Sequence, residues 1–381
     1  MPLSFKETTT NHNIVKFIEC LIPITLCNLR CHYCYVIQRN KRNMQPAKFQ
    51  YPVQHMLQCL TKNRFGGMVY FSICGAGETM LCPELPDLVK GLIAEGHIVN
   101  ITTNGTCSMQ LKRLINVLTE SERKALHLSF SLHYLELIRL NLIEIFFENV
   151  KFVRDAGCSY FVQFNMTDEY MPHINDIGRL VEEQLGAKPQ VAATRREVKL
   201  ESEVQLFTAL TEEEYRLAGK AFDSPLFECT LENFNKKKPG YCYAGKVSYV
   251  LNLSTGLLQA CYASKQKINI FARPDAEIKF FEIGRHCPSL FCMNSSHFMA
   301  LGTIPTSNVP SYASLRNRTT INGGTWYNKL HLEVLSKKID VKELSFVDKV
   351  WVEIKYYIHK WHYILSTLIV IIRNQLRCWL I

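Results

Sequence analysis

The apolar positions of the chain fall into short β-rich runs that alternate with longer runs at helical spacing. The β-rich runs cover residues 14–22, 68–74, 97–103, 126–132, 159–166 and 190–193. The runs at helical spacing cover residues 51–63, 85–95, 110–118, 135–156 and 172–184. Strands and helices in this alternation predict a parallel sheet covered by helices, with right-handed crossovers. We therefore expect an α/β fold for residues 14–224.

Three cysteines follow the first predicted strand in one short loop. Cys27, Cys31 and Cys34 are separated by three and then by two residues. Thiolates suit iron–sulfur clusters, zinc or copper(I), and a closed structural site has a fourth ligand. Three thiolates would hold an iron–sulfur cluster with one iron left open. Two alternatives stay open: a zinc knuckle with His32 as the fourth ligand, and cysteines that are merely small buried side chains.

Glycine-rich and polar segments follow the next predicted strands, at the edge where parallel sheets place their ligands. Glycine lets a backbone approach a ligand closely, which the loop that begins at Gly75 would exploit. Taken singly, each segment is equally compatible with an ordinary turn or a structural polar position. Their order behind the cysteine loop favours a binding role. The candidate residues are Ala76, Gly77, Glu78, Asn104, Ser131, His133, Gln163 and Asn165.

A second group of cysteines lies further along the chain. Cys242 is followed after thirteen residues by Gly256, and after four more by Cys261; Cys287 and Cys292 come later. Residues 249–262 carry the pattern of a β-hairpin. Four thiolates would complete a closed four-iron site, and a four-cysteine zinc site or scattered buried cysteines are the alternatives. Cys229 falls outside this pattern.

Composition places the chain among globular proteins, because 47% of its 381 residues are hydrophobic and 20% are charged. The fifteen cysteines are an odd number, and the polar first 13 residues lack the apolar segment of a signal peptide. We therefore expect a reducing, cytoplasmic compartment. The net charge of +10 comes with no nucleic-acid recognition motif, so no nucleic-acid partner is expected.

The C-terminal residues 346–381 are aromatic, aliphatic and basic. Their longest uncharged apolar run, residues 363–372, is too short to span a bilayer. The pattern predicts amphipathic helices that pack on the barrel. A contact with an anionic membrane surface or with a protein partner is the alternative.

The cysteine loop, with aromatic Tyr33 just before its third cysteine, resembles the signature of the radical S-adenosylmethionine (SAM) superfamily. The segment from Cys242 to Cys292 resembles the auxiliary-cluster half of SPASM/twitch domains. The resemblance implies a partial (β/α)6 TIM-like barrel at residues 14–224, preceded by an N-terminal tail at 1–13. It also implies a small auxiliary-cluster domain at 225–306, followed by a loop and amphipathic basic helices at 307–381.

The resemblance further implies an enzyme that cleaves SAM reductively to a 5′-deoxyadenosyl radical, which abstracts hydrogen from a substrate. The expected substrate is a small molecule, a carbohydrate or a peptide, and the expected electron donor is a flavodoxin or ferredoxin. A non-catalytic zinc or iron–sulfur protein is the alternative from another class.

The resemblance also implies a role for each group of residues. Cys27, Cys31 and Cys34 would bind a [4Fe-4S] cluster whose open iron is chelated by SAM, with Tyr33 near the adenine. Ala76, Gly77 and Glu78 would hold the methionine end of SAM, and Gln163 and Asn165 its ribose. Cys242, Cys261, Cys287 and Cys292 would bind an auxiliary [4Fe-4S] cluster.

The sequence departs from the family in two places. Ala76 and Thr79 stand where the family usually has glycine and proline. There are four cysteines in the second group instead of seven, which implies one auxiliary cluster, and the spacing of the last pair does not match the family's usual pattern.

Overall fold

The computed structural model describes most of the chain. The described residues are 13–45, 48–196, 205–237, 240–280, 282–287, 289, 291–292, 294–358, 361 and 365. The predicted N-terminal tail, apart from its last residue, and the apolar run at 363–372, apart from Leu365, lie outside them.

Six parallel strands form the central sheet, and each pairs with the strand that follows it in the chain. Most of their side chains are buried, as expected for a parallel sheet that is covered on both faces. This order confirms the predicted α/β fold with a partial (β/α)6 TIM-like barrel. The strands are β1 (Lys16–Ile22), β2 (Val69–Gly75), β3 (Ile98–Thr103), β4 (Leu126–Ser131), β5 (Ser159–Met166) and β6 (Gln190–Ala193).

Helices connect these strands and continue after them. They are α1 (Tyr35–Gln38), α2 (Val53–Cys59), α3 (Lys62–Phe65), α4 (Leu85–Ala94), α5 (Ser108–Asn116), α6 (Glu120–Arg123), α7 (Tyr134–Arg139), α8 (Ile143–Asp155), α9 (Ile174–Leu185), α10 (Glu212–Gly219), α11 (Pro225–Asn233), α12 (Tyr312–Arg316) and α13 (Lys329–Leu335). Short 3-10 turns cover Thr79–Leu81, Asp168–His173 and Lys220–Phe222, and a π-helical turn covers Ser295–Met299.

Two predicted helices are each divided in two. The predicted helix at 135–156 is α7 and α8, which are separated at Asn141 by a left-handed backbone conformation with φ of 54°. Asparagine tolerates that conformation better than most residues, and helical periodicity continues across it, so the pattern did not reveal the break. The predicted helix at 51–63 is α2 and α3, because the Thr61 side chain caps a new helix by accepting from the Arg64 N–H.

The sheet continues beyond β1 into the later cysteine-bearing segment. The predicted hairpin around residues 249–262 is formed by β9 (Ser248–Asn252) and β10 (Leu257–Gln259), and β11 (Lys267–Asn269) adds a third strand. Strand β9 lies parallel to β1, whereas β10 and β11 are antiparallel to their neighbours. Strands β7 (Arg195–Arg196) and β8 (Gln205–Leu206) form a separate pair. The hairpin is therefore an extension of the barrel sheet.

The interior at the N-terminal ends of the strands is filled from the C-terminal part of the chain. A loop was expected at the start of residues 307–381, but Tyr312–Arg316 in that segment form α12. Its Tyr312 is fully buried against Tyr70 of β2, with ring centroids 5.4 Å apart, and the Arg316 guanidinium lies 3.9 Å from the Tyr312 ring centroid. Five residues are too few for helical periodicity to be recognised.

Candidate active site

A cavity of about 450 Å³ lies at the C-terminal ends of the barrel strands, where a parallel sheet binds ligands. Gln163 on β5, next to Ser131 of β4 in the strand register, does not line it. The other candidates from the first part of the chain do line it: Cys27, Cys31, Tyr33, Cys34, Ala76, Gly77, Glu78, Asn104, Ser131, His133 and Asn165.

The cysteine loop follows β1 and precedes α1. Cys31 is buried, while Cys27 and Cys34 are partly exposed. The Cys34 N–H donates to the Cys31 carbonyl at 3.0 Å, and the Leu29 N–H points at the Cys27 sulfur at 3.4 Å. Burial raises the pKa of the Cys31 thiol, and its neighbours Cys27 and Cys34 raise it further. Ionising these clustered thiols is therefore costly without a bound cation, which makes the loop chemically suited to a metal cluster.

Polar contacts from several elements fix the position of this loop. The Asn104 side-chain amide donates to the Asn28 side-chain oxygen at 2.8 Å and lies 3.7 Å from the Cys27 sulfur. The Arg30 N–H donates to the Glu136 carboxylate of α7 at 2.9 Å. The loop is thereby held against the end of β3 and against α7, so its cysteines are oriented by the barrel.

The glycine-rich loop after β2 packs directly on the backbone that leads into the cysteine loop. The Gly77 N–H donates to the Ile24 carbonyl at 2.6 Å, and the Glu78 N–H donates to the Leu26 carbonyl at 2.8 Å. A Cβ atom at residue 77 would lie only 2.1 Å from the Leu26 carbonyl oxygen. Glycine is therefore required at position 77 by the close approach of two backbone segments.

The Glu78 carboxylate joins the loops that follow β2 and β3. It is buried and accepts from the Met80 N–H at 2.9 Å, the Thr103 hydroxyl at 2.6 Å and the Asn104 N–H at 2.7 Å. Burial raises the pKa of Glu78, and the three donors act in the opposite direction. The sequence predicted a contact with SAM for this residue; in the structure it lines the cavity and also holds two of the cavity's loops together.

Tyr33 forms a buried polar cluster on the wall of the cavity. Its hydroxyl lies 2.7 Å from the His133 Nδ1 atom and 3.2 Å from the Tyr170 hydroxyl. Burial lowers the pKa of His133 to about 4, so its imidazole is neutral at pH 7. Tyr33, which lines the cavity, is thus held in place by His133 from the loop after β4 and by Tyr170 from the turn after β5.

His32, the alternative zinc ligand, contacts the Glu169 carboxylate at 3.1 Å. Within the described part of the chain, no three His, Cys, Asp or Glu side chains converge on a position for one single metal ion. A four-iron cluster makes a different demand, because each of its cysteines binds a different iron and the thiols therefore lie further apart.

A second cavity of about 290 Å³ contains the four later cysteines, Cys242, Cys261, Cys287 and Cys292, in its lining. Burial raises the pKa of Cys242 to about 12, and the other three cysteines contribute to the rise. Cys242 exchanges two backbone hydrogen bonds with Gly284, at 3.1 and 2.9 Å. Cys229 lies apart from this cavity, buried on α11. The structure thus brings together the four cysteines that the spacing pattern selected.

Glu19 is a buried carboxylate that the sequence analysis missed. It lies on β1 and accepts hydrogen bonds from Tyr262 and Asn294, both of which line the second cavity. Burial raises the pKa of Glu19 to about 7. Glu19 is the one charged residue among the apolar residues 17–22, and this was a signal that could have identified it.

Arg42 and Arg195, which also line the first cavity, carried no local signal. Arg42 donates to the Cys27 carbonyl across fifteen residues of chain.

Comparison with known protein families gives one match, within the N-terminal half of the chain. The model of the Radical SAM superfamily matches residues 21–177. No curated protein matches the sequence.

Solved structures with a similar fold include SuiB of Streptococcus suis bound to S-adenosylmethionine, with 16% identity and a TM-score of 0.47. That match covers 69% of this chain and 65% of SuiB, which is less than two thirds of the SuiB length. A second is anSMEcpe with bound AdoMet, with 17% identity, a TM-score of 0.45, and 68% and 79% of the two chains covered. A third is BtrN in complex with AdoMet and 2-DOIA, with 15% identity, a TM-score of 0.26, and 65% and 74% covered.

Proposed function

We propose that the chain, whose residues 21–177 match the model of the Radical SAM superfamily, is an enzyme that cleaves SAM reductively to abstract hydrogen from a substrate. The observation that carries this proposal is the shared cavity. The three-cysteine loop, the glycine-rich loop and the polar ends of β3, β4 and β5 all line one space of about 450 Å³. That volume lies in the range of small-molecule and cofactor sites.

The residues present fit the cofactors that the family implies. Cys27, Cys31 and Cys34 offer three thiols in one loop beside the cavity, which leaves one iron of a [4Fe-4S] cluster for SAM. When bound, the cluster and SAM supply one-electron radical chemistry. The chain's own contribution is to fix the thiols through Asn104 and Arg42 and to bury the site among protein side chains.

The methionine end of SAM carries an ammonium and a carboxylate group. We assign the ammonium to the loop from Ala76 to Glu78, where the buried Glu78 carboxylate supplies negative charge. Tyr33 presents its ring to the cavity for the adenine, and Asn165 and Ser131 present polar side chains for the ribose. Gln163, which does not line the cavity, is left out of this assignment.

The decisive experiment is anaerobic incubation of the reconstituted protein with SAM and dithionite, with 5′-deoxyadenosine as the measured product. The wild type is expected to form it, and Cys31→Ala is expected to form none, because two thiols hold a four-iron cluster poorly. Cys229→Ala is the matched control, since that cysteine is buried but lies outside both cavities. Undiminished product from Cys31→Ala would disprove the cluster assignment.

We also propose that Cys242, Cys261, Cys287 and Cys292 bind an auxiliary [4Fe-4S] cluster. The support is their presence in one cavity and the influence of the other three on the pKa of Cys242. Four thiolates in one cavity would neutralise much of the charge of four iron ions, and the sheet extension β9–β10 would hold Cys261 close to β1.

Metal and sulfide analysis of the anaerobically purified protein tests this second site. Two four-iron clusters predict roughly eight iron and eight sulfide per chain, whereas zinc in the second site would replace half of the iron. Cys242→Ala and Cys261→Ala should each lose about half of the iron, and Cys229→Ala should lose none. Iron loss in Cys229→Ala without loss in Cys292→Ala would show that the ligand set is wrong.

The substrate stays the one that the sequence predicts: a small molecule, a carbohydrate or a peptide. A flavodoxin or ferredoxin remains the predicted electron donor, and the cytoplasm remains the predicted compartment. The domain limits at residues 224 and 306 also remain predictions.

A further inference from the structure

The C-terminal helix, residues 346–358, exposes an apolar face that no described part of the chain covers. At 3.6 residues per turn, its exposed apolar residues other than Tyr356 fall within an arc of about 140°. The same arc contains the next two described residues. The residues of this outward face are Phe346, Val347, Val350, Trp351, Ile354, Tyr357, Ile358, Trp361 and Leu365.

The side of the helix that packs on the protein carries Val352 together with polar and aromatic residues. The Glu353 carboxylate contacts the His286 imidazole, and Tyr356 stacks on the His286 ring at a centroid distance of 3.8 Å. The Lys349 ammonium lies 5.7 Å from the Tyr241 ring centroid. The helix is therefore oriented by specific contacts, and this orientation turns its apolar face outward. A helix that simply completed the core would point that face inward.

Large side chains dominate the outward face. Phe346 is 81% exposed, Ile358 64% and Trp361 62%. Ile354, Tyr357, Ile358, Trp361 and Leu365 enclose a shallow open groove. An exposed apolar patch of this size on one helix marks an interaction surface.

Composition and charge indicate whether a protein groove or a lipid surface suits this face of the helix. Tryptophan and tyrosine are the residues favoured at the membrane–water interface, and Trp351, Tyr357 and Trp361 lie on the outward face. Residues 346–381 contain five Lys and Arg against two Asp and Glu, a net charge of +3. The sequence beyond the helix stays apolar at 363–372 and then continues with Arg373 and Arg377. A protein groove would need a complementary apolar partner surface, whereas basic and aromatic residues together suit an anionic lipid surface.

No helix in the described ranges is long and apolar enough to cross a membrane. We propose that the outward face of the C-terminal helix docks on an anionic lipid surface, with the helix lying in the interface and its aromatic residues at the headgroup level. This binding surface is independent of the SAM cavity, so the proposal stands or falls separately from the proposed reaction.

The test uses the reconstituted full-length protein and vesicles of phosphatidylcholine with or without phosphatidylglycerol. Flotation measures the bound fraction, and tryptophan fluorescence reports entry into the interface. The wild type should bind the anionic vesicles and lose binding at high salt. Ile358→Glu should weaken binding at least about tenfold, because it removes buried apolar surface and adds a charge that anionic lipid repels. SAM cleavage should be unchanged in this variant.

Ile321→Glu is the matched control, since Ile321 is an exposed isoleucine outside the helix. It should bind vesicles like the wild type. Absence of binding to anionic vesicles overturns the proposal, and so does equal binding to neutral vesicles. Dimerisation in solution that Ile358→Glu abolishes, without vesicle binding, would show instead that a second copy of the chain covers the face.

Discussion

Replacement of Glu78 by glutamine is expected to weaken both the fold and SAM binding. One carboxylate oxygen accepts from the Met80 N–H and the Thr103 hydroxyl, and the other accepts from the Asn104 N–H. Glutamine keeps one oxygen, so its amide nitrogen must face a donor, and at least one buried N–H loses its partner. A buried donor left without a partner costs about 1–3 kcal/mol, and the remaining bonds lose their charge assistance.

The loss of the buried charge offsets part of this cost, because burial already raises the pKa of Glu78. We therefore expect the free energy of unfolding of Glu78→Gln to fall by about 2 kcal/mol. SAM affinity should fall at least about tenfold, because the negative charge that we propose for binding the SAM ammonium is gone and Asn104 is no longer tied to the glycine-rich loop. Iron content should stay at the wild-type level.

Anaerobic urea unfolding and calorimetric titration with SAM measure these two effects. Glu148→Gln on α8 is the matched control, because Glu148 is exposed; its unfolding free energy and SAM affinity should not change. If Glu78→Gln loses SAM affinity while its free energy of unfolding remains unchanged, the hydrogen bonds from Thr103 and Asn104 to this carboxylate do not stabilise the fold, and the prediction is wrong.

Two further predictions concern backbone packing and a buried charge. Gly77→Ala should unfold more easily by about 3 kcal/mol or more in urea, because its Cβ would collide with the Leu26 carbonyl; Gly178→Ala on α9, whose Cβ would meet only a ring atom at 3.5 Å, should be neutral or stabilising. Burial raises the pKa of Glu19 from its ordinary value of 4.5 to about 7, so between these pH values the folded protein holds a proton that the unfolded chain releases. Wild-type stability should therefore fall by up to about 3 kcal/mol between pH 4.5 and pH 7, relative to Glu19→Gln, in parallel denaturation series; identical pH slopes for the two proteins would contradict this.

Periodicity was sufficient to predict the parallel α/β sheet with its covering helices, because a parallel strand buried on both faces and an amphipathic helix each leave a local pattern. Periodicity failed where the structure depends on the conformation of a single residue or on a very short helix. The break at Asn141 depends on one residue's conformation, and α12 is too short to show a period. The pairing of β9 with β1 could not be predicted from the sequence either, because strands more than 200 residues apart share no local pattern.

For the candidate active site, too, one part could be predicted from the sequence and another could not. The spacing of Cys27, Cys31 and Cys34, and of the four later cysteines, was readable along the chain because each group is built largely from residues close in sequence. The partners that orient them are not. Asn104 reaches Asn28, Glu78 ties Thr103 to the glycine-rich loop, and Tyr33 meets His133 across 100 residues.

By itself the sequence determined the order of the barrel strands and helices and the two cysteine groups. Only the tertiary structure decided that Glu78 holds two loops together, that Gly77 is required by the Leu26 backbone, and that the apolar face of the C-terminal helix points outward. The physical reason is that hydrophobic periodicity and ligand spacing act between near neighbours in the chain, whereas hydrogen-bond partners, close backbone approaches and the direction of an exposed face are set by which distant segments meet.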